Sequence, residues 1–162
     1  MIVVTGGAGF IGSALVHGLN QKGIEDIWLI DDIDHPEKQK NLEALTYARL
    51  MGKNDFLQEV LRLKLPSCSA ILHMGACSST TEANEAYLRK NNLGYTKSLA
   101  EYSLTKDIRF IYASSAATYG AGDSGYSDDE TLLENLKPLN LYGYSKQWFD
   151  LWAREAGALK TI

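Results

Sequence analysis

Residues 2–12 read IVVTGGAGFIG, in which an apolar, β-branched run leads directly into glycines at positions 6, 9 and 12. Gly6 permits a tight turn, Gly9 lets the backbone approach a pyrophosphate, and Gly12 allows a helix to pack closely. A helix that begins at such a loop offers free N–H groups and a partial positive charge to phosphates. The stretch therefore predicts a strand over Ile2 to Thr5, followed by a dinucleotide-binding loop.

A second feature separates this loop from an ordinary strand-to-helix turn. A strand is predicted at Ile27 to Ile30, and Asp31 follows it, nineteen residues after Gly12, where a ribose-binding acid is expected. Asp31 and Asp32 favour NAD, because the 2′-phosphate of NADP would meet two carboxylates. Lys38 and Lys53 favour NADP, because either could neutralise that phosphate. These residues alone leave the choice of cofactor open.

The remaining apolar runs extend the same pattern along the chain. Strands are predicted at Ala70 to His73 and Arg109 to Ala113, and stretches with helical spacing separate the strands. The clearest helices run from about Ile11 to Lys22 and from about Leu141 to Ala156. This alternation predicts an α/β fold with a doubly wound parallel sheet, in which residues 1–162 form one domain.

Secondary structure is predicted separately for three further segments. Residues 41–63 fit either a helix or a short third strand at Leu45-Thr46-Tyr47. Ser79-Thr80-Thr81-Glu82 has the spacing of a capping box and predicts a long helix reaching about Lys106. Lys160-Thr161-Ile162 has the character of a beginning strand. Because the sheet would then stop before its last strands, we expect the N-terminal part of a longer protein.

Composition and charge exclude several classes of partner. The 162 residues carry 16 Lys and Arg against 20 Asp and Glu, a net charge of −4, so no basic field is available for nucleic acid or an anionic membrane. The apolar runs are too short to span a bilayer, and we expect a cytoplasmic protein. Neither the cysteines, Cys68 and Cys77, nor the three histidines have metal-ligand spacing, so no metal site is expected.

Catalytic chemistry is indicated by three polar residues. Tyr142 and Lys146 lie four residues apart, so on a helix their side chains share a face about 6 Å apart. A tyrosine is a poor base near neutral pH, and a nearby ammonium group stabilises its phenolate. Ser115 follows a predicted strand, at the edge where open α/β sheets bind ligands. Together the three residues can remove a proton from an alcohol while a hydride leaves its carbon.

Four segments of this sequence resemble a known family. They are residues 1–13 (MIVVTGGAGFIGS), 75–82 (GACSSTTE), 112–120 (YASSAATYG) and 138–146 (PLNLYGYSK). The chain resembles the N-terminal half of an extended short-chain dehydrogenase/reductase, in the group of sugar-nucleotide epimerases and dehydratases. Segment 75–82 is the most specific of the four, and it resembles the branch that epimerises ADP-heptoses.

The resemblance implies a set of cofactor-binding residues beyond the glycines. Two positions depart from the family pattern, since Asp32 stands where the family usually has Asn, and Met74 where it has an acidic residue. Lys38 and Lys53 stand where the family has basic residues, so the resemblance favours NADP, with NAD as the alternative. The residues implied are Phe10, Ile11, Asp31, Asp32, Lys38, Lys53, Met74, Gly75, Ala76, Cys77, Ser78, Asn91 and Lys146.

The activity implied by the resemblance is inversion at C6 of a nucleotide-bound heptose through a transient ketone. Tyr142 would remove and return the hydroxyl proton, Lys146 would stabilise the phenolate of Tyr142, and Ser115 would orient the sugar oxygen. The product would serve the lipopolysaccharide core, and the intact enzyme would be a homo-oligomer. Without the family's C-terminal half, we expect cofactor binding but no meaningful turnover. The alternatives are an epimerase or dehydratase for UDP- or GDP-sugars, and a non-catalytic dinucleotide-binding module.

Overall fold

A computed structural model describes residues 1–160 and contains a five-stranded parallel sheet. The strands are β1 (Ile2–Thr5), β2 (Ile27–Ile30), β3 (Arg49–Met51), β4 (Ala70–His73) and β5 (Arg109–Tyr112). Their order is β3-β2-β1-β4-β5, which places the first strand at the centre. This is the strand order of the dinucleotide-binding Rossmann fold, and it confirms the predicted α/β class.

Helices separate the strands along the chain. The helices predicted at residues 11–22 and 141–156 are confirmed, each within two residues at its ends. The α-helices are α1 (Phe10–Asn20), α2 (Pro36–Leu42), α3 (Lys53–Leu61), α4 (Glu85–Leu88), α5 (Tyr95–Thr105) and α6 (Leu141–Glu155). A π-helix spans Arg89–Gly94, and 3₁₀ turns span Ala116–Tyr119, Glu130–Asn135 and Ala158–Lys160.

The chain divides into two compact units. The first contains Met1–Gly75 and Ser98–Tyr112, and therefore the whole sheet. The second contains Ala76–Lys97 and the chain from Ala113 onward, and α6 is its longest helix. In the first unit, apolar residues from β1, β2, α1, α2 and the loop between β1 and α1 form a buried core: Val4, Ala8, Val16, Ile27, Leu29 and Leu42.

The third strand lies at Arg49–Met51, so the strand option at Leu45-Thr46-Tyr47 is wrong, as is a helix through that segment. The side chain of Asn20 donates to the carbonyl of Thr46 at 2.9 Å and accepts from its N–H at 2.9 Å. Both backbone groups of Thr46 are thereby used by a side chain instead of a strand ladder. Pairing with β2 begins only afterwards, where Met51 is buried.

The helix predicted from the capping box begins five residues later than expected. It starts at Glu85, and Asn84 caps it by accepting a 3.0 Å hydrogen bond from the N–H of Tyr87. Glu82 instead accepts a hydrogen bond from the N–H of Asn84, at 2.8 Å, and therefore lies before the helix. The prediction was wrong because Asn84 is also a strong N-cap residue. The segment is also interrupted by the π-helix before continuing to Thr105.

The strand expected at Lys160-Thr161-Ile162 has no support in the described residues. Lys160 ends a 3₁₀ turn, and Thr161 and Ile162 lie outside the part of the chain that the structure describes. Within residues 1–160, no helix combines the length and the apolar character needed to cross a bilayer.

Candidate active site

In the first unit, the glycine loop turns sharply between β1 and α1. Gly6 has a φ of +65°, and a Cβ placed there would lie 2.7 Å from the backbone nitrogen of Gly75. A Cβ on Gly12 would lie only 2.1 Å from the carbonyl oxygen of Gly6. The N–H of Gly9 donates to that same carbonyl at 3.0 Å. Side chains are therefore excluded where the strand, the loop and the first helical turn meet.

The N-terminus of α1 faces solvent. Gly9 is its N-cap and has no side chain to satisfy the first N–H groups. Phe10 and Ile11, which the resemblance placed beside the cofactor, are 87% and 60% exposed. Large apolar side chains at this exposure leave room for a ligand beside the helix end, where the dipole favours phosphate.

Asp31 connects the glycine loop to the predicted adenosine side. Its Oδ2 accepts a hydrogen bond from the N–H of Ala8 at 3.0 Å, and its Oδ1 lies 3.0 Å from Lys38 Nζ. Lys38 also pairs with Asp34 at 2.8 Å. Burial lowers the pKa of Lys38, but the bonds to Asp34 and Asp31 outweigh this, so its pKa lies above the ordinary value. Lys38 is therefore a firmly charged group beside Asp31.

Asp32 and Lys53 form a second pair in the same unit. Their charged atoms are 3.4 Å apart, and both side chains are about two-fifths exposed. Asp32 also accepts a hydrogen bond from the N–H of Lys53 at 3.1 Å, at the start of α3. The four polar residues predicted for the adenosine end are thus brought together as two acid–lysine pairs.

After β4, Gly75 is held in the first unit, where its N–H donates to Thr5 Oγ1 at 3.2 Å. Met74, also predicted as a cofactor residue, is half-buried, and its N–H donates to the carbonyl of Thr5 at 3.1 Å. Ala76, Cys77 and Ser78 belong to the second unit. Of these, Ser78 is exposed, and Ala76 and Cys77 are half-buried.

In the second unit, Lys146 is buried and contacts the segment that precedes Ser115. It is 4% exposed, and its Nζ donates to the carbonyl of Ala113 at 2.8 Å. Desolvation lowers the pKa of Lys146 to about 8, while the charge of Asp150 acts in the opposite direction. A pKa shifted this far by burial is typical of residues in functional sites.

Tyr142 and Lys146 both lie on α6, as predicted. Asn140 caps the helix by accepting a 2.8 Å hydrogen bond from the N–H of Gly143. The cap fixes the first turn, and Tyr142 is half-buried within it, one turn before Lys146. Ser115 is also half-buried and caps a 3₁₀ turn, since its Oγ accepts a 3.2 Å hydrogen bond from Ala117 N–H. Its hydroxyl hydrogen can still donate to an oxygen of a ligand.

A cavity of about 440 Å³ adjoins Ser115 in the second unit. Its wall is rich in carboxylates and hydroxyls, and Tyr119 donates a hydrogen bond to Asp128 there. The lining includes Ser114, Ser115, Tyr119, Asp128, Asp129 and Asp150. Such a surface suits a polyhydroxylated ligand better than an anionic one, because carboxylates accept hydrogen bonds from hydroxyl groups.

Asn92, which the sequence analysis did not single out, is buried and makes three hydrogen bonds. It is 1% exposed, accepts a hydrogen bond from the N–H of Cys77 at 2.8 Å and donates to its carbonyl at 2.9 Å. It also donates to Ser145 Oγ at 2.8 Å. Asn91, which the resemblance placed at the cofactor, donates a hydrogen bond to the carbonyl of Tyr87 at 2.9 Å. The signal available was a pair of asparagines mid-helix, where this residue type is unfavourable without a specific partner.

The chain is similar to several known proteins. The chain is 52% identical, over its full length, to the ADP-L-glycero-D-manno-heptose-6-epimerase of Nitratidesulfovibrio vulgaris, and covers 50% of that protein. A crystal structure of the Helicobacter pylori enzyme of the same name superposes with a TM-score of 0.81 at 28% identity, over 96% of this chain and 50% of that one. The chain thus spans about half the length of these relatives.

A more distant structure was solved with a cofactor. It is the UDP-glucose 4-epimerase of Brucella ovis in complex with NAD, which matches with a TM-score of 0.72 and 26% identity, over 96% of this chain and 47% of that one. The model of one family matches residues 2–162, nearly the whole sequence. The chain therefore belongs to the NAD-dependent epimerase/dehydratase family.

Proposed function

We propose that the whole protein is an ADP-L-glycero-D-manno-heptose 6-epimerase, and that residues 1–162 supply its dinucleotide-binding part and its Ser–Tyr–Lys set. The substrate is supported by the 52% identity to an enzyme of that name along the entire chain. The observation that carries the chemistry is the buried Lys146, one helical turn from Tyr142 and bonded to the carbonyl of Ala113 near Ser115.

The glycine loop fits a dinucleotide. The positions where a Cβ would collide, Gly6 and Gly12, form a cradle next to an uncapped helix N-terminus that faces solvent. We assign the pyrophosphate to this loop together with Phe10 and Ile11, and the adenosine ribose to Asp31 and Asp32. When bound, the nicotinamide cofactor would accept a hydride from C6 of the heptose and return it.

The catalytic residues divide the proton chemistry between them. Tyr142 takes the proton of the C6 hydroxyl as the ketone forms and gives it back as the ketone is reduced. Lys146, as an ammonium group, stabilises the phenolate of Tyr142 and holds the cofactor ribose. Ser115 donates a hydrogen bond to the sugar oxygen. Inversion follows if the ketone presents its opposite face before the hydride returns, and no net oxidation results.

The cofactor is proposed to be NADP, with NAD as the alternative. Lys38 and Lys53 support NADP, because each is a cation beside the acids expected at the adenosine ribose. The family description and the NAD-bound relative support the broader class of nicotinamide dinucleotides. Binding of a 2′-phosphate requires Lys38 to exchange at least one carboxylate partner for the phosphate, which is an anion of higher charge. We also propose a cytoplasmic homo-oligomer, on the family resemblance.

A substrate panel tests the proposed function. The full-length protein is incubated with ADP-D-glycero-D-manno-heptose, UDP-glucose and a GDP-sugar, and the products are resolved by chromatography and NMR. Conversion of the ADP-heptose to its C6 epimer supports the proposal, and turnover of only a UDP- or GDP-sugar would overturn it. Tyr142→Phe removes only the phenolic hydroxyl, and undiminished turnover by this variant would favour a non-catalytic dinucleotide-binding module.

A further inference from the structure

A buried carboxylate lies on α6, the helix of Tyr142 and Lys146, and has no role in the mechanism above. Asp150 is 8% exposed and follows Lys146 by four residues on α6, so the two side chains share one helix face. Its Oδ2 accepts a hydrogen bond of 2.6 Å from Ser114 Oγ. A short bond from a hydroxyl to a carboxylate is among the stronger hydrogen bonds in proteins.

The bond to Asp150 and the bond to Lys146 hold consecutive residues of one segment. Lys146 binds the carbonyl of Ala113, and Asp150 binds the hydroxyl of Ser114. Ser115 is the next residue, and its backbone is fixed further by the 3₁₀ turn that it caps. Two side chains, one helical turn apart, therefore anchor the segment to α6 immediately before the serine that would contact the sugar.

Asp150 also supplies charge near Lys146. An ammonium group as buried as that of Lys146 loses most of its hydration, which favours the neutral amine. Asp150 opposes this effect and supports the protonated form. Asp150 lines the same cavity wall as Ser115, together with the ionisable groups of Tyr119, Asp128 and Glu130.

We propose that Asp150 is a positioning residue of the Ser–Tyr–Lys set: it holds Ser114, and through it Ser115, against α6, and it supplies the counter-charge for the ammonium group of Lys146. The proposal rests on the proposed function, because it assigns Asp150 a role in that reaction. It adds a fourth side chain, and Ser114 as its partner, to the three residues that act on the sugar.

The test separates the charge of Asp150 from its hydrogen bond, using the full-length protein. Asp150→Asn keeps an acceptor for Ser114 but removes the charge, Asp150→Glu keeps the charge, and Ser114→Ala removes only the hydroxyl. Glu155→Gln, at the exposed end of the same helix, is the matched control for loss of a carboxylate. Each variant is measured for kcat, KM, cofactor Kd and thermal midpoint.

Asp150→Asn is expected to lower kcat by roughly tenfold or more, with KM and cofactor Kd within about threefold of the wild type. Asp150→Glu should recover part of that loss, and Ser114→Ala should lower kcat by roughly threefold to tenfold. Glu155→Gln should match the wild type. An unchanged kcat in Asp150→Asn would overturn the proposal. So would a loss of kcat that merely parallels losses of thermal stability and cofactor binding.

The outcomes also distinguish the two proposals. If the wild type acts only on a UDP- or GDP-sugar, the heptose assignment fails, and the Asp150 comparison is made on that substrate with the same expectations. If the wild type turns over the ADP-heptose and Asp150→Asn does so equally well, only the role of Asp150 fails. A wild-type protein without turnover on any nucleotide sugar would overturn both.

Discussion

Lys146 donates a hydrogen bond from its Nζ to the carbonyl oxygen of Ala113 at 2.8 Å, while its side chain is almost wholly removed from solvent. The bond connects α6 to the segment that leads into Ser115. Burying a cation is costly because desolvation disfavours the charged form, and the hydrogen bond to Ala113 and the charge of Asp150 offset part of that cost. A Tyr-x-x-x-Lys pair also fits an amphipathic surface helix, where the lysine would be exposed. The burial of Lys146 distinguishes this pair from that case.

The burial of Lys146 predicts a specific dependence of stability on pH. In the unfolded chain the lysine keeps its proton up to about pH 10.5, whereas the folded chain releases it near pH 8. The unfolded state therefore binds more protons between these values, and the free energy of unfolding rises with pH across that window. Relative to Lys146→Met, we expect the wild type to gain up to about 3 kcal/mol from pH 7.5 to pH 10.5.

Urea denaturation of both proteins at several pH values measures this difference, since titrations common to both cancel. Lys137→Met removes an exposed lysine and should leave the wild-type pH profile unchanged. A difference between the wild type and Lys146→Met that does not vary with pH would show that the amine keeps its proton throughout.

Gly12→Ala should damage the dinucleotide site. The new Cβ would lie 2.1 Å from the carbonyl oxygen of Gly6, so the loop or the helix must move. We expect a loss of about 1–3 kcal/mol in the free energy of unfolding, and dinucleotide binding weakened by roughly tenfold or more. Calorimetric titration with NADP and NAD measures the second effect.

Gly18→Ala is the matched control in the same helix, because a Cβ at Gly18 meets no atom within 4 Å. It should raise stability by about 0.5–1 kcal/mol through helix propensity and leave binding unchanged. Equal effects of the two substitutions would contradict the close approach at Gly12.

The choice of cofactor depends on the lysines beside the acidic pair. Under the NADP proposal, Lys38→Ala should raise the Kd for NADP by roughly tenfold, the size expected for one charge-assisted hydrogen bond, and change the Kd for NAD by less than about threefold. Lys40→Ala, an exposed lysine on the same helix, is the control. Equal effects on both cofactors would indicate that Lys38 serves mainly to orient Asp31.

We expect substitution of Asn92 to lower stability strongly, although the sequence did not single this residue out. Asn92→Ala leaves both backbone groups of Cys77 and the hydroxyl of Ser145 without this partner, so stability should fall by about 2 kcal/mol or more. Asn91→Ala, next to it, should cost less than about 1 kcal/mol, because that side chain makes one bond to a helix carbonyl. Denaturation of both variants tests whether Asn92 contributes more to stability than Asn91.

The sequence predicted the parts of the fold that local pattern determines. Four strands appeared as short β-branched or apolar runs, and Gly23 marked the end of the first helix with a φ of +73°. The short third strand escaped prediction because Asn20, twenty-six residues away along the chain, uses both backbone groups of Thr46. No local pattern reports a partner at that separation.

The candidate site was predictable in its residue types and less so in its contacts. The glycine spacing and the pair of Tyr142 and Lys146 could be identified by inspection, but the burial of Lys146 depends on tertiary packing. The π-helix at Arg89–Gly94 also depends on tertiary contacts, since it contains Asn92, whose partners lie on other elements. Irregular helical turns of this kind are frequent at functional sites and have no simple sequence signature.

The proposed epimerisation requires that the same hydride leaves C6 of the heptose and returns to it while Tyr142 moves the proton. The full-length protein is incubated in ordinary water with ADP-heptose carrying deuterium at C6, and the epimeric product is analysed by mass spectrometry and NMR. We expect inverted configuration with the deuterium retained at C6. Replacement of that deuterium by hydrogen from water would contradict it, because C6 would then have been inverted by exchange with solvent.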